Sequence, residues 1–483
     1  MIQTTSATLS SHLNGIPWQN LPPTFQDALQ FTYNLGLKYL WIDSLCILQD
    51  SDDDWRHEGS KMSGIYAGSY ITLAAAKAAN AYEGCFSTLA GPYLSRINTF
   101  YNQCNEQYEL HCIERTDPSS MQYSHALNKR AWTFQEQLLP IRVLYLESRG
   151  LTWDCHGAEK IEDLYNSTGK IDLHSTERVS LLKTLRDCQS TAHAAESWEK
   201  IVEIYKRRQL TYPSDIFPAL QGIAKRMTPA MGRYLAGHWE NHLAFAWYAR
   251  PLDNDMKEKG GIEWRAPTWS WASAIGPVGF YSLSTISVQL MDAHTVPKGN
   301  DPTGQLSYGE IVLRGWYLRG LLVQKEHWRE HWREPEISLA APDGLKDRID
   351  GLGPFRVYWD YSFSDPLGPL HSIPRVVEQD SDGDSPISWS MCGHAVPGTR
   401  ESHTDLADMQ VIAMKLGQWA RSQSVELCLV LKAIDLQACR YQRIGLLHMT
   451  TVYSSWLKEI GSQHSQLNKL CGTSANEIVV TVI

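Results

Sequence analysis

From Pro22 to Gly36 the chain reads PPTFQDALQFTYNLG. Phe25, Ala28, Leu29 and Thr32 recur at helical spacing, Thr24 is an N-cap candidate, and Gly36 supplies a stop. Leu37 to Ile42 (LKYLWI) is a short apolar run whose only charge is Lys38, the pattern of a buried strand with Trp41 inside it. The acidic loop Asp50-Ser-Asp-Asp-Asp54 leads into a helix predicted from Trp55 to Tyr66, with its aspartates matched to the helix dipole. Tyr70 to Ala75 (YITLAA) reads as a second apolar strand. Helix, strand, loop, helix and strand in this order predict an α/β unit built on a parallel sheet.

Further along, Asn128 to Leu139 (NKRAWTFQEQLL) predicts one compact helix ended by Pro140, and Arg142 to Leu146 and Leu151 to Cys155 predict strands. Thr176 to Ala230 reads as helical. From Trp269 onward strands dominate: 287–290, 310–322, 355–359, 411–416, 426–433, 443–449 and 477–483. Residues 378–400 (EQDSDGDSPISWSMCGHAVPGTR) have the composition of a loop. The expected organisation is an α/β domain over 1–165, a helical segment over 166–265 and a strand-rich domain over 266–483.

Composition narrows the function classes. The 483 residues carry 44 Lys+Arg against 53 Asp+Glu, a net charge of −9, with no concentrated basic run, which argues against a nucleic-acid binder. No apolar stretch approaches the ~20 residues that cross a bilayer. The polar start MIQTTSATLSSHLNG lacks a basic region followed by an apolar one, and the ten cysteines form no CxxC pair. A cytoplasmic protein with reduced thiols is expected. The 18 tryptophans stand out. They make either an aromatic-rich core or a pocket for a flat, apolar ligand.

Signatures of common chemistry fail one by one. Asp50, Asp52 and Asp54 imitate a calcium loop, but Trp55 stands where the turn needs Gly and Lys61 where a bidentate Glu belongs. His238 with His242, and His327 with His331, have helical metal spacing without a third ligand in view. Neither GxxxxGK[ST] nor GxSxG occurs. No metal and no cofactor is expected. What remains is carboxylate chemistry. Asp43 follows a predicted parallel strand, at the end where α/β sheets bind ligands, and Glu58 lies in a first helical turn crowded by aspartates. Asp43 and Glu58 are the catalytic candidates. Gln49, Trp55, Trp132, Gln135 and Glu136 are candidates for contacting the ligand.

The blocks YLWIDSLCILQDSDDDW (39–55), MSGIYAGSYITLAAAKAANAYEGCFS (62–87) and RAWTFQEQLLPIRVLYL (130–146) resemble the heterokaryon-incompatibility (HET) domain of filamentous fungi. YLAGHWENHLAFAWY and RAPTWSWAS further on resemble the C-terminal part of stand-alone HET proteins. That family's domain normally opens with a strand carrying Ser-Tyr-x-Trp-Gly. This chain starts just downstream of it: either the gene model is truncated, or the first strand is lost and the sheet has an edge needing protection. The resemblance implies a flavodoxin-like, Toll/interleukin-receptor-like parallel sheet and a role in non-self recognition and cell death. Some members of that fold cleave NAD with a glutamate at Trp-x-x-Glu spacing, which Trp55-Arg-His-Glu58 reproduces.

Two functions of different class follow. One is an allorecognition factor acting through a protein partner, with NAD cleavage as its output. The other is a cofactor-free cyclase, isomerase or pericyclase of fungal secondary metabolism. It would fold a small apolar substrate in a pocket of Trp239, Tyr248, Trp269 and Trp271, with Asp43, Gln135 or Glu136 supplying one activating hydrogen bond.

Overall fold

The computed structural model describes residues 2–86, 94–101, 107–113, 126–147, 150–155, 158–161, 191–249, 264–326, 333–338, 355–359, 389–392, 409–422, 425–450 and 477–483. The chain divides into two compact units, Met1–Gln189 with Pro218–Met227, and Ser190–Phe217 with Thr228–Ile483.

In the first unit α1 (Leu9–Leu13) precedes α2 (Pro23–Asn34), which starts on its prolines rather than on Thr24 and closes before Gly36, at φ +72. The short α3 (Asp43–Cys46) is followed by α4 (Asp52–Gly68). Ser51 caps α4 by accepting the Asp54 N–H, and three aspartates fill its first turn as the charge pattern requires. The small sheet runs β1 (Thr72–Ala74), β4 (Arg142–Glu147), β5 (Gly150–Cys155), β6 (Ala158–Ile161), while β2 (Leu94–Tyr101) and β3 (Gln107–Ile113) pair separately. Cys85, Leu144 and Leu146 form a core beneath it, closed by Phe31, Ile71, Leu73 and Trp153.

This sheet is mixed, where a parallel one was expected. Only β1 and β4 run parallel, in the register Thr72↔Val143 to Ala74↔Tyr145. β4 with β5 and β5 with β6 are antiparallel. The cause is chain length: two residues separate Glu147 from Gly150, too few for a crossover and right for a hairpin. A second correction concerns Leu37–Ile42, which joins no described strand. Lys38 and Tyr39 are exposed, and Trp41 is only half-buried, with its ring edge-on to Tyr66 at 5.6 Å. An apolar run satisfies the side-chain pattern of a strand, but the ladder needs a neighbour that periodicity cannot reveal.

The single helix expected over 128–139 is two, α5 (Ala126–Lys129) and α6 (Thr133–Leu138). The Thr133 hydroxyl donates to the carbonyls of Leu127, at 2.5 Å, and Arg130, at 2.7 Å, and so takes acceptors that a continuous helix would use.

The second unit contains α7 (Thr191–Tyr205) and the hairpin of β7 (Tyr234–Leu235) with β8 (His238–Trp239). β9 (Trp247–Ala249) pairs with β10 (Val278–Phe280). The helix α8 (Gln221–Met231) belongs to the first unit up to Met227. The described strands also form a ten-stranded sheet. It comprises β11 (Leu283–Ile286), β12 (Gln289–Pro297), β13 (Leu306–Glu326), β14 (Arg333–Ser338), β15 (Phe355–Trp359), β16 (Trp389–Cys392), β17 (Met409–Trp419), β18 (Val425–Asp435), β19 (Arg440–Thr450) and β20 (Glu477–Val482).

The spine is β13. Its first half pairs with β12 and β20, and its second with β17 and β14. In β18 the run Glu426–Leu431 is buried throughout, as expected of an apolar segment covered on both faces. Within 378–400, read as a loop from composition, Trp389–Cys392 is strand β16, parallel to β15 and antiparallel to β14.

Candidate functional site

The aspartates of 50–54 mostly hold backbone in place. Both oxygens of Asp50 accept the Ser6 N–H, at 2.9 and 3.0 Å, and Asp54 accepts the Leu48 N–H at 2.8 Å. Asp53 pairs with Arg56 at 2.6 Å. The Thr4 N–H donates to the Ser44 carbonyl and the Gln49 N–H to that of Thr4, so the N-terminal segment is strapped along the loop before α4. Glu58 lies one turn beyond Trp55 on α4, and its Oε1 takes the Lys61 ammonium at 2.8 Å. The cluster that motivated it is thus largely a folding device.

Asp43 stands elsewhere. It is exposed at the start of α3, and its Oδ1 accepts the Ser44 N–H at 2.7 Å. Gln49 is adjacent: its side-chain amide donates to the Asp43 carbonyl at 3.3 Å and to the Ile47 carbonyl at 3.0 Å. The charges of Asp43 and Glu136 both reach a residue that sequence reasoning missed, Tyr66. Tyr66 lies on the last turns of α4, within electrostatic reach of the Glu136 carboxylate on α6. Burial, then the charges of Glu136 and Asp43, push the Tyr66 phenol well above its ordinary range, while the Arg130 guanidinium pulls the other way. Two carboxylates, one phenol and one guanidinium therefore gather from three separate stretches of chain, 43, 66 and 130–136.

Packing of α4 against α6 sets this arrangement. Trp55 meets Trp132 edge-on, with ring centroids 5.7 Å apart and planes at 90°. Gln135, fully buried, accepts the Gly222 N–H at 3.4 Å. From α8, Gln221 donates to the Gly59 carbonyl at 2.7 Å, Lys225 to that of Ser60 at 3.2 Å and Arg226 to that of Leu139 at 3.3 Å. Gln135 is thus a brace, next in sequence to Glu136.

The remaining candidates lie in the second unit. Trp239, Trp269 and Trp271 are fully buried among aromatic rings. Trp198 lies 5.3 Å from Trp239, and Tyr205 and Phe217 pack edge-on against Trp271 at 6.3 and 6.2 Å. The indoles of Trp198 and Trp271 both donate to the Gly237 carbonyl, at 2.8 and 2.7 Å. These rings form the core of that unit. Tyr248 is half-buried and stacks on Tyr281 at 4.5 Å, which in turn meets Trp419 at 5.4 Å.

Of the two histidine pairs, His238 donates through Nε2 to the Trp269 carbonyl at 3.2 Å, and His242 pairs with Glu199 at 2.8 Å. His327 and His331 lie outside the described residues. Among the described residues no group of three or more His, Cys, Asp or Glu side chains could hold a metal, and no helix is long and apolar enough to cross a membrane.

Helices joined to a mixed sheet place the first unit among α/β proteins. Residues 3–136, all within this unit, match the family model described as Heterokaryon incompatibility protein (HET). No curated protein and no solved structure matches the chain. The matched span includes Asp43, Tyr66, Arg130 and Glu136.

Proposed function

We propose that the HET domain hydrolyses the N-glycosidic bond of nicotinamide adenine dinucleotide, and that this is the output of a heterokaryon-incompatibility reaction. The observation that carries the reading is that the charges of Glu136, Asp43 and Arg130, from separate stretches of the domain, all act on Tyr66. Breaking the bond between nicotinamide nitrogen and ribose C1′ sends its electron pair to the nicotinamide, which leaves neutral. A cationic, oxocarbenium-like sugar remains. Glu136 opposes that charge. Water adds to C1′ and gives its proton to Asp43 and thence to solvent, so the products are nicotinamide, ADP-ribose and one proton. Arg130 suits the dinucleotide's phosphates.

The test is incubation of the purified chain with NAD and chromatographic measurement of nicotinamide. Release by the wild type, a loss of about 100-fold or more in Glu136→Gln, and near-wild-type release in Glu58→Gln are expected. Loss in Glu58→Gln with full activity in Glu136→Gln would move the chemistry to Glu58. Silence of the wild type would end the reading.

A further inference from the structure

Between Leu37 and Ile42 the backbone runs without turn or bend and is extended at Ile42, with φ −132 and ψ 122. The Leu37 N–H donates to the Thr32 carbonyl, and the Ile42 carbonyl accepts the N–H groups of Leu45 and Cys46. Between these anchors, no N–H or carbonyl of Lys38, Tyr39, Leu40 or Trp41 has a hydrogen-bond partner among the described residues. A stretch held at both ends with a bare backbone between them is a template for another strand. Its side chains are equally incomplete. Tyr39 is 90% exposed, and Trp41, two residues on and so on the same face, is only half-buried against Tyr66. Just upstream, the end of α2 adds exposed Tyr33 and Leu35.

We propose that this segment is a self-association edge: Lys38–Trp41 pairs antiparallel with the same segment of a second copy of the chain, in a two-fold dimer. A two-fold axis through Leu40 lets both copies use the same backbone groups and sets each Tyr39 opposite the partner's Trp41. Each exposed tyrosine ring then covers the other copy's half-exposed tryptophan, an aromatic pair of the kind that stabilises antiparallel ladders. Charge selects the direction. Lys38 and Asp43 are exposed at opposite ends of the segment, and neither makes an ion pair among the described residues. Antiparallel pairing brings Lys38 of each copy to the Asp43 end of the other, whereas parallel pairing would set lysine beside lysine. A lysine on an open edge ordinarily turns strands away. Here it admits one arrival, the same segment running in the opposite direction.

Sedimentation velocity of the full chain across about 1–100 µM reads the association directly. The wild type is expected to pass from monomer to dimer. Lys38→Glu sets like charges against each other and weakens dimerisation by about tenfold or more. Lys38→Glu combined with Asp43→Lys restores it to within about threefold of the wild type. Successive N–H groups point to opposite edges of a strand, so one of Tyr39→Pro and Leu40→Pro deletes a donor of the pairing edge and abolishes the dimer. Neither N–H is bonded among the described residues, so the far-UV circular dichroism of both variants stays that of the wild type. If a proline variant does not fold, the charge swap decides alone. A chain that remains monomeric throughout leaves the edge to a different polypeptide and overturns the proposal. A dimer indifferent to Lys38→Glu and to both prolines uses another surface, and one that the charge swap fails to rescue is not antiparallel here; either overturns it. The measurement needs no NAD, so its outcome is separate from the N-glycosidase reading.

Discussion

The Trp271 indole donates to the Gly237 carbonyl at 2.7 Å while the same ring lies across the Gly237 α-carbon. A β-carbon there would stand 2.5 Å from Trp271 Nε1 and 2.7 Å from its Cε2. Gly237 also has φ +91, directly after Ala236 at φ +46, so the turn between β7 and β8 is left-handed over two residues. Gly237→Ala is expected to cost about 3 kcal/mol or more, combining backbone strain with the displacement of a buried indole. The urea midpoint followed by tryptophan fluorescence reads this directly. An unchanged midpoint would mean that the ring can swing aside.

A comparable contact governs the first unit. A β-carbon on Gly222 would collide with the Ser63 β-carbon and lie 2.8 Å from Leu139 Cδ1 and 3.1 Å from Gln135 Oε1. Gly222→Ala should therefore push α8 from α4 and α6, at a cost of about 1–3 kcal/mol. Gln135 adjoins Glu136, so nicotinamide release should fall with stability. Loss of stability with full activity would show that the acid cluster does not depend on this brace.

Much of the architecture was readable in residue patterns. The aspartates before Trp55, the apolar run of β4 and that of β18 each obey a local rule, and each element forms, with α4 beginning three residues earlier than expected, at Asp52 behind Ser51. What failed was pairing. The run LKYLWI has the side chains of a strand, yet its backbone joins no described ladder, and 389–392 has the composition of a loop and pairs on both sides. Strand partners are set by distant chain, and a short apolar run does not encode them.

The site divides along the same line. Asp43 and Glu136 were legible as carboxylates in family-like blocks, though Asp43 does not end a sheet strand. Tyr66 and Arg130 carried no signal. The Glu136 charge that reaches Tyr66 comes from 70 positions further on, across the α4–α6 contact, marked in the sequence only by Trp55 and Trp132. Glu58, the acid with the stronger local spacing, is engaged by Lys61 one turn away.

His238 gives the second unit a pH dependence of defined sign. Burial, helped by the Arg443 charge and, less, by His242, holds its pKa at about 3, and the bond to the Trp269 carbonyl opposes this only in part. Above pH 6.5 the imidazole is neutral both folded and unfolded, and its contribution is complete. As pH falls toward 3 the unfolded chain takes a proton that the fold refuses, so stability is lost across that window, by up to about 1.4 kcal/mol per pH unit. His238→Gln, which retains an N–H for the Trp269 carbonyl, should flatten the stability profile between pH 6 and 4, measured by urea titration at each pH. Parallel profiles would show that another group controls the window.

Lys415 and Glu426 form a buried ion pair across β17 and β18, at 2.5 Å, with side chains 13% and 5% exposed. Taking both charges out of water costs more than a surface pair would, and Cys428 beside them is pushed up by burial and by the Glu426 charge. Removing one partner leaves an uncompensated charge inside the sheet. Lys415→Met alone is expected to destabilise by about 3–5 kcal/mol, whereas Lys415→Met with Glu426→Leu should recover most of that loss or exceed the wild type. A double-mutant cycle on urea midpoints separates the two contributions. If the double variant is as unstable as the sum of the singles, the pair is worth nothing as a pair and both side chains act through packing alone.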